Sequence, residues 1–257
     1  MSDAVLVTAN EAVLEICLNR PDKKNAITNA MYGTVADALA DAEANPDIRV
    51  ALISGTGDAF TAGNDLADFA AVTNGTLARS DLNVTRMLAN LTSMAKPVIA
   101  AVNGLAVGVG TTMLLHCDLV YVSQSAKLTV PFVNLALVPE AASSRLLPEL
   151  VGNVRAFAMF ALGEPMSADA AVAVGLANAV CVPDELMPTA RKAARALAAR
   201  APMALARTKQ LMRDPLRTQA IMKLESAHFA DQLQSPEAGE AFAAFFEQRA
   251  PDFSRVA

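Results

Sequence analysis

Tryptophan is absent from this chain, and aromatic residues of any kind fill only 5% of its 257 positions. Alanine is plentiful instead, which favours closely packed helices with small side chains between them. Cysteine is scarce: Cys17, Cys117 and Cys181 are odd in number and far apart, fitting neither a disulfide framework nor a metal-ligand spacing. With His116 and His228 as the only histidines, a zinc site is not expected either. Charged residues make up 18% and the formal net charge is −5. That balance argues against a nucleic-acid binder, which needs clustered positive charge. An anionic small ligand would need a local basic patch.

One run looks long enough for a membrane, residues 98–117, "VIAAVNGLAVGVGTTMLLHC". Asn103 and three glycines interrupt it, so a buried strand–turn–helix is the better reading. The opening "MSDAVLVTAN" lacks the basic start and apolar run of a signal peptide, and "FSRVA" is not a peroxisomal address. The expectation is a cytoplasmic protein with no metal or redox cofactor and neither nucleic acid nor membrane as partner.

Hydrophobic residues account for 53% of the chain, enough for a substantial core in one large domain or a domain with a small appendage. "VLVTANEAVLEICLNRP" reads as a β-hairpin around an Asn-Glu turn. Residues 28–44 begin at a threonine cap and carry apolar side chains at helical spacing. "RVALISGTG" and "KPVIAAVNG" are strands closed by glycine, and "DLVYVSQSAKLTV" holds two more. Helical patterns between them predict an α/β core with largely parallel strands. From about residue 184 the chain becomes helical and alanine-rich, so the division expected is a core over 1–195 and a helical region over 196–257.

Two strand ends are unusual. "SGTGDAFTAGNDLADF" (54–69) places three glycines and a Gly-Asn-Asp turn before a helix. "VNGLAVGVGTTMLLHC" (102–117) places Gly104, Gly108 and Gly110 where a helix should begin. Such loops let a ligand approach the backbone, and a helix start offers free N–H groups to a developing oxyanion. Plain structural turns would look the same. Neither loop matches the GxxxxGK[ST] phosphate loop or the dinucleotide fingerprint.

Taken in order, "LNRPDKKNAIT", "SGTGDAFTAGNDL", "KPVIAAVNGLAVGVG", "HCDLVYVSQSAKLTVPFVNLALVPEAASSRLLPELVG" and "EAFAAFFEQRAPDF" resemble the crotonase (enoyl-CoA hydratase/isomerase) superfamily across nearly the whole chain. The resemblance implies a spiral of ββα turns, a helical C-terminal trimerisation region giving trimers or dimers of trimers, and an acyl-CoA thioester substrate. It also implies an oxyanion hole from the backbone N–H groups of Asn64 and Val109. Valine stands where the family has glycine, and a β-branched residue resists positive φ, so the hole depends on Val109 keeping the family's backbone.

Where the family's hydratases carry two glutamates, this sequence has Thr112 and Phe132, so ordinary hydration is not expected. The remaining acid is Glu140, in "LALVPEAASSR". From the residues alone, Pro139-Glu140 reads first as the opening turn of a helix. The stretch, however, is similar to the one bearing the catalytic glutamate of peroxisomal-type Δ3,Δ2-enoyl-CoA isomerases. A double-bond shift needs one base, and the apolar neighbours of Glu140 would raise its pKa toward a useful range. The expectation is therefore an isomerase of fatty-acid β-oxidation with Glu140 as acid/base. Other crotonase chemistry, or a non-catalytic acyl-CoA binder, are the alternatives.

The resemblance further assigns coenzyme A and the acyl group to Lys23 and Lys24 with Arg20 nearby, to the backbone at Ala26 and Ala62, and to Gly63, Asp65, Leu66, Gly108 and Phe132. Phe245 and Arg249 would come from a neighbouring subunit's tail. Asp65 is expected to brace its loop, and Asn134, Ser143 or Ser144 to line the pocket or cap a helix. Phe157, Met159 and Phe160 read as core at helical spacing, His116 as a packed core residue and His228 as surface.

Overall fold

The computed structural model describes residues 3–73, 76–78 and 81–256. Its first hairpin pairs β1 (Val5–Asn10) with β2 (Val13–Leu18) antiparallel, and Glu11 turns the corner at φ 53°. The chain then repeats one pattern. A long strand enters a main sheet, a short strand steps into a second sheet, and a helical segment returns.

The main-sheet members are β3 (Val50–Gly55), β5 (Val98–Val102) and β7 (Leu119–Ser123). Each is followed by a short partner: β4 (Ala59–Thr61), β6 (Leu105–Val107) and β8 (Lys127–Thr129). With β9 (Met166–Ser167) and β10 (Ala179–Cys181), the sheets run β1-β2-β3-β5-β7-β10 and β4-β6-β8-β9. From β2 to β10 the main sheet is parallel, which is the ββα spiral the resemblance implied.

Burial on both faces explains why β5, and β3 as far as Ile53, are apolar. Ala51 and Ile53 of β3, with Val98, Ala100 and Val102 of β5, face the main core. There α1 (Asn29–Ala44) and α3 (Asn83–Ser93) pack against one another. Val50, Leu52, Ile99 and Ala101 point the other way, against Leu186, Ala190 and Ala194 of α8 (Pro183–Ala198). The two alanines let this helix lie close on the sheet. Thr28 caps α1 by accepting the Met31 N–H at 3.3 Å.

Several expectations shift. The short strands β4 and β6 sit where sequence alone reads a loop running straight into a helix. A boundary at 195/196 falls inside α8, a single helix that covers the main sheet. Phe157 is 69% exposed, whereas Met159 and Phe160 are buried. The cause is the π turn at Ala158–Leu162 that follows α6 (Asn153–Phe157), since an extra residue per turn breaks the helical spacing. His116 is buried and His228 exposed. Among the described residues no helix is long and apolar enough to cross a membrane.

The tail continues as α9 (Pro202–Met212), α10 (Pro215–Leu233) and α11 (Pro236–Phe246). It is tied to the core by a partly buried ion cluster in which Lys209 is the buried member. Lys209 Nζ lies 2.7 Å from Asp118 Oδ2 and also donates to the Lys96 carbonyl, and Arg213 reaches Asp118 at 3.0 Å. Asp118 additionally accepts the Val98 N–H at 2.8 Å. Removing one partner of such a cluster strands a desolvated charge. Asp118→Ala is expected to lower stability by about 3–5 kcal/mol in denaturant unfolding, with α9 losing its anchorage.

Candidate active site

The two glycine-rich loops meet. A Cβ on Gly63, which has φ 90°, would stand 2.9 Å from the Val107 carbonyl, and one on Gly110 would stand 2.4 Å from Thr61 Cγ2. Only glycine permits both approaches, so loop 61–65 and the start of α4 (Val109–Thr112) are pressed together. Gly108 takes the positive φ, 55°, and Val109 begins the helix with no such demand, which removes the conflict expected of a β-branched residue there.

Neighbouring amides are engaged: Ala62 by Lys24, Gly63 by Thr61, Asp65 by Ile27 and Gly108 by Thr129. Those of Asn64 and Val109 fall between them, without a partner among the described residues. Asp65 braces the first loop, 2.6 Å from Arg20 and accepting the Ala67 N–H at 3.1 Å. Burial alone would raise its pKa, but these two contacts hold it below the usual range.

Two cavities of about 670 Å³ each share Asn64, Asp65 and Phe229. The first is lined by Lys23, Ala26, Ala62, Gly63, Leu66, Gly108, Phe132, Asn134, Phe245 and Arg249. Most of the residues assigned to substrate from the sequence thus converge on it. Lys24 does not. It adopts a left-handed φ of 50° and pairs with Asp58 on the surface. Phe245 and Arg249 line the cavity of their own chain, where the tail folds back, and Arg249 is also paired with Glu240 and Glu247.

The second cavity holds Glu140. It does not start a helix: α5 (Ser143–Val151) begins three residues later, and Glu140 sits in the turn before it. Thr112 donates to its Oε1 at 2.5 Å, so the threonine at one hydratase position supports the carboxylate instead of replacing a second one. Phe132, at the other, packs on Phe160 with ring centroids 6.0 Å apart. Burial, reinforced by the charge of Glu225 and opposed by the Thr112 hydrogen bond, pushes the Glu140 pKa up to about 7.

The turn itself is strained. Ala141 and Ala142 both have φ 58°, a left-handed conformation that costs an alanine on the order of 1 kcal/mol. The Ala141 carbonyl accepts from His116 Nε2 at 2.8 Å, and burial keeps that histidine neutral by lowering its pKa to about 4. Ala142 cannot cap α5, and neither Ser143 nor Ser144 does so. Glu225 of α10 takes the role, accepting N–H groups from Ala142 at 2.6 Å and Ser144 at 2.9 Å.

Sequence reasoning missed two residues here. Tyr32 on α1 is buried at the second cavity and donates to Asn64 Oδ1 at 2.5 Å, tying the first loop to the wall near Glu140. Burial, then the charges of Glu140 and Asp68, raise its pKa. As one of only two tyrosines it was a visible oddity. Glu225 interrupts the apolar stripe Met222–Phe229 of α10, which is the pattern that flags an inward-facing acid.

A ββα spiral with a divided cleft and a raised carboxylate defines the crotonase class. The family description "Enoyl-CoA hydratase/isomerase" matches residues 8–255, and the chain belongs to that family. The chain is 33% identical to 2,3-dehydroadipyl-CoA hydratase of Escherichia coli (strain K12), over 97% of this chain and 98% of the relative. It is 37% identical to enoyl-CoA delta isomerase 2 of Rattus norvegicus, over 70% of this chain and 46% of that one. The crystal structure of an enoyl-CoA hydratase/isomerase from Pseudoalteromonas atlantica T6c superposes with TM-score 0.93 at 42% identity, covering 98% of this chain and 100% of that one. The protein is therefore an enzyme of this family, acting on coenzyme A thioesters.

Because the native pKa of Glu140 lies above its unfolded value, the folded state holds its proton more tightly between about pH 4.5 and 7, and stability falls as pH rises through that window. Glu140→Gln removes the penalty. It is expected to be more stable than wild type by about 1–3 kcal/mol at pH 8, with the gain gone near pH 4.5, in unfolding curves at the two pH values.

Proposed function

We propose that the protein is an acyl-CoA double-bond isomerase of fatty-acid β-oxidation, converting 3-enoyl-CoA to 2-enoyl-CoA with Glu140 as its single acid/base. The observation that carries this reading is a cavity-wall carboxylate with its pKa raised to about 7, and a threonine and a phenylalanine at the positions where hydration would want acids. Glu140 removes a proton from C2, and the electrons move onto the thioester oxygen. The amides of Asn64 and Val109 then stabilise that oxyanion, and the carboxylic acid returns the proton at C4. The double bond moves with no net change of atoms. Coenzyme A lies along the first cavity, with Lys23 and Arg249 as its cations, and the acyl chain enters the second. No metal or redox cofactor is needed.

The likeness to the rat delta isomerase supports this reading, and the likeness to 2,3-dehydroadipyl-CoA hydratase supports a second, in which Glu140 activates water. Wild type is expected to form trans-2-enoyl-CoA from the 3-isomer, read from the absorbance of the conjugated thioester. Glu140→Gln should lower kcat by about a thousandfold. Below about pH 7 kcat/KM should fall tenfold per unit, since only ionised Glu140 accepts a proton. Faster formation of 3-hydroxyacyl-CoA from the 2-isomer would favour the hydratase.

The assembly we propose is a trimer or dimer of trimers. Met203, Leu211, Met212, Leu216 and Leu224 leave large apolar side chains exposed on α9 and α10, more than a lone chain needs to show water. Sedimentation equilibrium is expected to give three or six times the chain mass; the mass of one chain would rule the assembly out.

A further inference from the structure

The segment that carries Glu140 cannot hold itself in place. Two consecutive alanines are left-handed, and no side chain within the segment caps the helix that follows. The restraints come from elsewhere: His116 grips the Ala141 carbonyl from one side, and Glu225, 83 residues beyond Ala142, grips the Ala142 and Ser144 amides from the other. Glu225 is itself buried, and the Ser144 side chain joins the two amides in holding its carboxylate.

We propose that Glu225 is a positioning residue for the acid/base: by capping α5 from the tail helix it fixes the Ala141–Ala142 turn, and with it the aim of the Glu140 carboxylate at the substrate. The proposal rests on the reading of Glu140 as acid/base. The other groups facing Glu140 act differently. Thr112 holds one carboxylate oxygen, Tyr32 is engaged with Asn64, and Asp65, Asp68 and Lys223 line the same cavity without fixing the turn. A base displaced by about an ångström loses rate out of proportion to any loss of binding, so the signature is a fall in kcat with KM little changed.

The test uses full-length Glu225→Ala, Glu225→Gln and Glu225→Asp. Two measurements are made: 3-enoyl-CoA isomerisation, and hydrogen exchange at the Ala142 and Ser144 amides. Glu225→Ala is expected to lower kcat by about ten- to a hundredfold with KM within about twofold, and to speed exchange at both amides at least about tenfold. Glutamine keeps the length but offers one acceptor where Oε1 and Oε2 each take an amide, so its kcat should lie between those of Glu225→Ala and wild type. Aspartate keeps the charge but not the reach, and should fall below glutamine.

Wild-type kcat in Glu225→Ala, or aspartate outperforming glutamine, would overturn the proposal. If Glu225→Ala does not fold, the order of glutamine and aspartate still decides. Exchange separates the two readings. A wild type with no isomerase turnover would count against the function proposed above, whereas unchanged exchange at Ala142 and Ser144 would count against Glu225 whatever the reaction.

Discussion

A carboxylate that must take a weakly acidic carbon-bound proton near neutral pH has to be kept from water and yet remain reachable by substrate. The surroundings of Glu140 meet both requirements, which is what the proposed reaction asks of it. Its turn is sunk against the end of α4 and the tail helix, where Thr112 can hold one oxygen while the other side of the residue meets the cavity. Burial of this kind would ordinarily be avoided by protonation, and the pKa near 7 is the compromise between the two states. The backbone bears part of the strain as two left-handed alanines, compensated by His116 and Glu225.

The same economy governs the opposite wall. A backbone oxyanion site needs no charged side chain, only two amides left over when their neighbours have been bonded, and two loops close enough to present them together. Gly63 and Gly110 give the closeness, and Gly108 absorbs the awkward φ so that Val109 need not. Valine at position 109 carries no backbone strain, because the positive φ falls on Gly108.

Much of this was legible beforehand because it depends on local chemistry. The hairpin, the capped α1, the apolar strands and the glycine loops all follow from residues within a few positions of one another. Lys23, Ala26, Gly63 and Asn64 converge on one cleft because the loops that carry them sit at strand ends of a repeating spiral. What escaped was either too short or too far. Three-residue strands such as β4 and β6 leave almost no alternation to read, and the π turn after α6 shifted Phe157 outward with no marker in composition. Lys24 and Lys23 are indistinguishable as letters; a left-handed φ turns one of them toward Asp58. Glu225 and Tyr32 act across 83 and 32 residues, and no pattern within one segment fixes such a partnership.

The tail's return onto its own core also sets an order of events. Gln219, Met222, Lys223, Ser226, Phe229 and Leu233 form one face of α10 and one wall of the Glu140 cavity, while the spiral that carries Glu140 is already complete in sequence before α9 begins. A ribosome therefore releases the folded sheets well before the chain that encloses the acid. Until α10 has emerged and docked, the nascent molecule has a core but lacks one wall of the Glu140 cavity.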